Sequence, residues 1–125
     1  MTTRLETYEQ YLSVCNLHKK EKNKLIELIF EKPVEHSPDE NNDKSINPNS
    51  VLNLRGNNYF HKGLKLHNDD AFTLYHTLKI NSCISTLDLR FNRITDEGAV
   101  WISKLLNVFI IYFYFKIQLI EFFFK

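Results

Sequence analysis

Imidazole and thiol groups in the middle of the chain have the chemistry to bind zinc. His61, His67, His76 and Cys83 are nitrogen and sulfur ligands of the kind that zinc prefers, but none lies at a C-x-x-C or H-x-x-x-H spacing. The sequence also lacks a nucleophile elbow, a phosphate-binding GxxxxGK loop, and a Cys or Ser with matched catalytic partners. We therefore predict no metal, no cofactor, no catalytic residue and no enzyme.

A second group of polar residues has the chemistry of a contact surface. Leu87 and Leu89 alternate with Thr86, Asp88 and Arg90, which predicts a short strand with the leucines buried and the polar side chains outward. Since parallel strands lie about 4.8 Å apart, an equivalent strand would place Asn53 beside Asp88 and Arg55 beside Arg90. The alternative is that these are solvated strand residues, with Asp88 offsetting the two arginines.

Two weaker features could also attract a partner. Trp101 lies on a predicted helix and could anchor another protein, although packing against the N-terminal helices explains it better. The run KKEKNK at residues 19–24 could attract RNA or an import receptor, but Glu21 interrupts it and a solvated junction between helices is favoured.

The polar strand residues belong to an internal repeat. Leu52, Leu54 and Asn57 recur as Leu87, Leu89 and Asn92 at a separation of 35 residues. With Ile84 the second copy completes the pattern L-x-x-L-x-L-x-x-N. A buried turn must satisfy its polar groups, so we expect the Asn92 amide to bond backbone groups of the neighbouring coil, and Asn57 to do the same one repeat earlier.

Each copy continues into a predicted helix. In the second copy Thr95 is expected to cap a helix running from Asp96 to about Leu106, with acids in its first turn. The first copy fits the second if seven additional residues loop out between Asn57 and Leu66. Its apolar positions then match: Leu66, Ala71, Leu74 and Leu78 correspond to Ile94, Ala99, Ile102 and Leu106.

Residues 50–106 resemble the leucine-rich repeat family, ribonuclease-inhibitor-like class. The signature of that class is visible in the segment LDLRFNRITDEGAVWISKLL. The resemblance implies an α/β fold: a leucine-rich-repeat solenoid fragment of two β-turn-α repeats, with short parallel strands inside and helices outside. It also implies partner binding on the concave strand face, without catalysis. An N-terminal helical segment followed by these repeats is similar to the cytoplasmic or nuclear leucine-rich-repeat-containing proteins of animals.

Two further segments precede the repeats. Residues 1–32 carry apolar residues at helical spacing and predict two short helices, separated near Asn16 to Asn23, where Asn23 can cap the second. Their apolar faces are predicted to comprise Leu5, Tyr8, Leu12 and Cys15 in the first helix, and Leu25, Ile26, Leu28 and Ile29 in the second. Residues 33–49 are rich in Pro, Asn, Asp, Glu and Ser, which predicts a flexible linker before the repeats at residues 50–106.

Residues 107–125 form an aromatic, apolar tail whose composition differs abruptly from the rest. Tyr112, Phe115 and Ile117 fall 28 residues after Ile84, Leu87 and Leu89, which would allow a third strand, but Ile120 lies where Asn is expected. The apolar run at residues 108–115 is too short for a membrane span of about 20 residues. We interpret the chain as the N-terminal part of a longer repeat protein in truncated or alternatively ended form, able to self-associate through this tail.

Composition narrows the class of partner. The 16 basic and 15 acidic residues nearly cancel, so bulk charge gives no reason to expect nucleic acid or a membrane. Cys15 and Cys83 lie far apart and no secretory signal is recognised, which predicts a cytoplasmic or nuclear location. The sequence thus predicts a protein-binding scaffold of unknown partner. The alternatives are a poorly folding fragment without independent function and a protein attached to a membrane by its tail.

Overall fold

The computed structural model describes residues 3–31, 50–57, 59–80, 83–112 and 116–118. Helices and strands follow one another as α1 (Arg4–His18), α2 (Lys24–Glu31), β1 (Val51–Asn53), α3 (Asn68–Leu78), β2 (Thr86–Asp88), α4 (Asp96–Tyr112) and β3 (Lys116–Gln118). The mixed helices and parallel strands are compatible with the expected α/β class. The predicted linker at 33–49 lies outside the described residues.

Helix α1 begins with a capping box, in which the Thr3 hydroxyl accepts from the Glu6 N–H at 3.1 Å. The predicted apolar face of this helix was partly wrong, since Leu5 is 65% exposed and Leu12 is only partly buried. The face that packs against the rest of the protein carries Thr7, Tyr11, Val14 and Cys15. The Tyr11 hydroxyl is fixed there because it accepts from the Asn23 N–H at 2.8 Å.

Helix α2 forms where the sequence predicts it. Asn23 Oδ1 accepts from the Leu25 N–H at 2.8 Å, which confirms the predicted cap. Leu25, Ile26 and Ile29 are buried as expected, whereas Leu28 is only partly buried and Phe30 takes its place in the core.

Strands β1 and β2 pair in parallel with Leu52 opposite Leu87 and Asn53 opposite Asp88. This register confirms the 35-residue separation read from the sequence. Leu52 and Leu87 in the strands, and Leu54 and Leu89 just after them, are fully buried, and they join apolar side chains of all four helices in a continuous core. The alternation of a strand then turns the intervening polar residues to the other side of the sheet.

A third strand, β3, pairs in parallel with β2 and gives the sheet order β1-β2-β3. The spacing expected from the sequence was wrong by two residues, because Ile117 lies opposite Leu87 instead of Leu89. Tyr112, expected in that strand, ends helix α4. The helix passes its expected end at Leu106 because no Gly or Pro follows to stop it.

The start of α4 is bonded by the preceding repeat. Asn68, the first residue of α3, accepts with Oδ1 from the N–H groups of Thr95 and Gly98, at 2.8 and 3.1 Å. Its Nδ2 donates to the Thr95 hydroxyl at 2.8 Å. The Thr95 side chain was expected to cap this helix, but Asn68 provides the acceptor for the Gly98 N–H instead. This bond joins one repeat to the next.

Candidate functional site

The predicted contact residues of the two strands lie side by side on the sheet face opposite the helices. We call Asn53, Arg55, Thr86, Asp88 and Arg90 the strand face. Asn53 is directly opposite Asp88 in the ladder, and the ladder continues past the strands because the Gly56 N–H donates to the Arg90 carbonyl at 2.9 Å. Four of the five side chains are partly exposed, so the strand face is accessible.

Asp88 departs from the expectation of an outward, exposed side chain. It lies on the strand face, yet it is only 7% exposed because arginines cover it. Arg90 donates to both carboxylate oxygens, from Nε at 3.0 Å and from Nη2 at 2.7 Å, which is the planar two-bond geometry that favours arginine over lysine. Asp88 therefore orders Arg90 and is itself largely shielded from a partner.

Arg55 is held less tightly by the same carboxylate. Its Nε lies 3.9 Å from Asp88 Oδ2, an ion pair without a hydrogen bond. This Nε is buried and has no hydrogen-bond partner among the described residues. The guanidinium lies over the Phe91 ring at 5.6 Å from its centroid, so a cation–π contact positions a charge that Asp88 only partly neutralises.

Asn92 forms the turn behind the strand face as predicted. Its Nδ2 donates to the carbonyls of Leu54 and Leu89, at 2.7 and 3.0 Å, and its Oδ1 accepts from the Leu66 N–H at 2.8 Å. These buried bonds confirm the expected role of the amide. The same expectation for Asn57 was wrong, since Asn57 is exposed in the turn that opens the inserted loop.

The additional residues of the first repeat form a loop at the carboxyl end of β1, which we call the inserted loop (described residues 57 and 59–65). Its Lys65 donates from Nζ to the carbonyls of Phe91 and Gly56, at 2.9 and 3.3 Å, which ties the end of the loop to both turns. Tyr59 and Phe60 are 76% and 74% exposed, with ring centroids 5.4 Å apart in an edge-to-face arrangement. The sequence comparison of the two repeats found the insertion, but it did not identify Tyr59 and Phe60 as an exposed aromatic pair.

Trp101 lies in the helical layer, apart from the strand face. Its ring packs against α3, edge-to-face with Phe72 at 4.8 Å and tilted against Tyr75 at 5.5 Å. Packing was the favoured explanation for Trp101, and the ring does pack against other aromatic side chains. The expected packing partners were wrong for these contacts, because the rings belong to α3 and not to the N-terminal helices. Helix α1 enters the same aromatic cluster through His18, which stacks on His76 at 4.8 Å.

His76 has its proton affinity lowered in this cluster. Burial is the main cause, and the charges of Lys79, His18 and Lys104 add to it, so the pKa of His76 lies below its ordinary value. The Lys79 ammonium lies 2.9 Å from His76 Nδ1, a contact that requires an unprotonated acceptor.

Over the described part of the chain, no three His, Cys, Asp or Glu side chains are grouped so as to hold a metal ion.

A polar junction joins the N-terminal helices to the first repeat. Asn23 Nδ2 donates to the Lys65 carbonyl and to Asp70 Oδ2, both at 2.9 Å. The same oxygen of Asp70 accepts from the His67 N–H at 2.7 Å. Burial raises the pKa of Asp70 against the opposing effect of these bonds.

The first residue of α1 reaches the edge of the sheet. Arg4 donates to the Val51 carbonyl of β1 at 3.1 Å and to the Ile29 carbonyl of α2 at 2.6 Å. The guanidinium thus joins α1, the end of α2 and β1.

Among the described residues, no helix is both long enough and apolar enough to cross a bilayer.

Strand and helix recur as a unit in this chain, and residues 81–103, which contain the second unit with its asparagine turn, match the family model for the Leucine Rich repeat. The matched segment contains β2, the Asn92 turn and the first part of α4. The match and the relatives described next support a leucine-rich repeat family for this chain. Leucine-rich repeat proteins are in general non-enzymatic scaffolds, and their domains in general bind other proteins.

Two curated relatives share more of the sequence. Leucine-rich repeat-containing protein 34 of Mus musculus is 33% identical over 95 residues, which is 76% of this chain and 22% of the mouse protein. The protein of the same name from Rattus norvegicus is 31% identical over 96 residues, 77% of this chain and 22% of the rat protein. The chain therefore spans about a fifth of the length of these relatives.

Proposed function

We propose that this chain is part of a protein-binding scaffold of the ribonuclease-inhibitor-like class, with its strand face as the concave binding surface of a solenoid. The observation that carries the proposal is the strand face itself. Polar side chains of β1 and β2 lie in register, and all of them except Asp88 are partly exposed, while the alternating leucines are fully buried. Such a surface offers hydrogen bonds and charge on a backbone that the core keeps rigid.

We further propose that α1 and α2 cover one end of the stacked repeats. Arg4 covers the β1 edge by bonding the Val51 carbonyl, so the two helices act as a cap on that side. Further repeats, as the greater length of the curated relatives suggests, would pack on the β3 side. This agrees with the physics of repeat stacks, in which roughly three or more units are needed for stability.

A cytoplasmic or nuclear compartment fits the proposal. Cys15 and Cys83 are not joined in a disulfide, as is usual where glutathione keeps proteins reduced. The partner in that compartment would be another protein that contacts Asn53, Arg55 and Thr86.

Site-specific photocrosslinking in cells tests this function. A photoreactive amino acid replaces Thr86 on the strand face, and in a matched control it replaces Val100, which is exposed on α4. We expect a discrete crosslinked protein from position 86 and a different or weaker pattern from position 100. Crosslinks confined to position 100 would show that the helical side is the binding surface and would refute the proposal.

A further inference from the structure

The carboxyl ends of the strands concentrate positive charge in a chain that is nearly neutral. The formal net charge of all 125 residues is +1, yet residues 54–68 and 89–95 contain no Asp or Glu. Their basic side chains are Arg55, Lys62, Lys65, Arg90 and Arg93. Asp88 is the acid that precedes the second of these stretches, and it is already bonded by Arg90. The turns that follow the strands therefore carry a local excess of basic side chains, which ends at the acids in the first turns of α3 and α4.

Arg55 is the basic side chain at the carboxyl ends of the strands that is best placed to bind a carboxylate of a partner. Arg90 uses two donors on Asp88, whereas Arg55 approaches the same carboxylate only to 3.9 Å. Asp88 is thus hydrogen-bonded by Arg90 and only approached by Arg55, whose positive charge it neutralises in part. Phe91 holds the Arg55 guanidinium from one side, so little rotamer entropy is lost when an acidic group binds.

The inserted loop adds an apolar contact at the same end of the sheet. Tyr59 and Phe60 are strongly exposed, and the loop that carries them begins two residues after Arg55. Lys62 lies over the Tyr59 ring at 5.1 Å, so the aromatic pair also bears a cation. Aromatic side chains and arginine are the residue types that most often dominate binding energy at protein interfaces.

We propose that the strand face and the inserted loop together dock an acidic segment of another protein, with Arg55 binding one of its carboxylates and the Tyr59–Phe60 pair packing against an apolar side chain. This inference rests on the proposed function and names the partner class. A protein segment fits better than a nucleic acid because leucine-rich repeat domains in general bind other proteins, and because Asn53 and Thr86 on the strand face are neutral groups that can bond a peptide.

Fluorescence anisotropy with the full chain tests the docking. The probe is a short labelled peptide of alternating Glu and Leu, compared with its Gln and Leu counterpart and with a short oligouridine at physiological ionic strength. We expect the acidic peptide to bind and its neutral counterpart to bind at least about tenfold more weakly. The substitution Arg55→Gln should weaken the acidic peptide by roughly tenfold or more, because it removes a charge-assisted bond.

Two further variants separate docking from general attraction and from folding. The control Lys24→Gln removes the same charge from an exposed position on α2 and should change binding by less than about twofold. The double substitution Tyr59→Ser and Phe60→Ser should weaken binding without lowering the thermal midpoint, because both rings are exposed. Absence of peptide binding, equal binding of the neutral peptide, or an equal effect of Lys24→Gln overturns the inference.

Tighter binding of oligouridine that is lost in Arg55→Gln would overturn it in favour of nucleic acid. The inference and the proposed function can fail separately. If position 86 still crosslinks a protein while Arg55→Gln leaves peptide binding unchanged, the strand face binds a partner but not an acidic one.

Discussion

Replacing Asn92 by alanine should destabilise the protein far more than replacing Asn57, although the repeat pattern makes the two residues equivalent. The Asn92 amide makes three buried hydrogen bonds of 2.7 to 3.0 Å to two carbonyls and one N–H. A buried backbone group that loses its partner costs about 1 to 3 kcal/mol, and some relaxation or water entry reduces the sum. We therefore expect Asn92→Ala to cost about 3 to 4 kcal/mol.

Asn57 is exposed, so Asn57→Ala should change the free energy of unfolding by no more than about 0.5 kcal/mol. Urea unfolding followed by Trp101 fluorescence and by circular dichroism measures both variants. With a slope of about 1 to 3 kcal/mol per molar urea, Asn92→Ala should lower the midpoint by at least about 1 M. A difference between the variants below about 1 kcal/mol would refute the claim that this amide holds the turn.

Three other outcomes are expected. Gly56→Ala should destabilise strongly, because an added Cβ would overlap the Phe91 carbonyl oxygen, and thermal unfolding measures the loss. Asn68→Ala should cost about 1 to 2 kcal/mol, because two N–H groups at the start of α4 lose their acceptor, whereas equal stability of this variant would contradict the bonding across repeats. Since the folded pKa of His76 is lowered, its contribution to stability is present above its ordinary pKa of about 6.5 and is lost as the pH falls through the folded value. His76→Phe should remove that part of the pH dependence in urea unfolding series collected at several pH values.

The sequence predicted those parts of the fold that depend on local periodicity. The separation of Leu52 from Leu87 is also the register of the parallel strands, because each repeat contributes one strand at the same place in its unit. The Asn92 bonds were predictable for the same reason. A turn buried between two coils needs both a donor and an acceptor, and the amide supplies both.

Other features depended on packing that periodicity does not encode. The equivalence of Asn57 and Asn92 failed because the inserted loop replaces the tight turn of the first repeat, and Lys65 bonds the neighbouring carbonyls there instead. The register of β3 shifted by two residues because α4 continues to Tyr112 and delays the following strand. For the candidate site, the strand positions followed from the pattern, but the shielding of Asp88 depended on how Arg90 folds back on it.

Three asparagines show why the units of this chain should behave as one cooperative structure. Asn23 bonds the N-terminal helices to the first repeat through Asp70, Asn68 bonds α3 to the start of α4, and Asn92 bonds the second repeat back to Leu54 of the first. Each amide crosses a boundary between units, so separating two units would leave buried or partly buried polar groups without partners. Apolar burial alone tolerates sliding of one layer over another, whereas these directional bonds fix the order and register in which the layers pack. That rigidity keeps Asn53, Arg55 and Thr86 at fixed spacing, as the proposed recognition of a partner by charge would require.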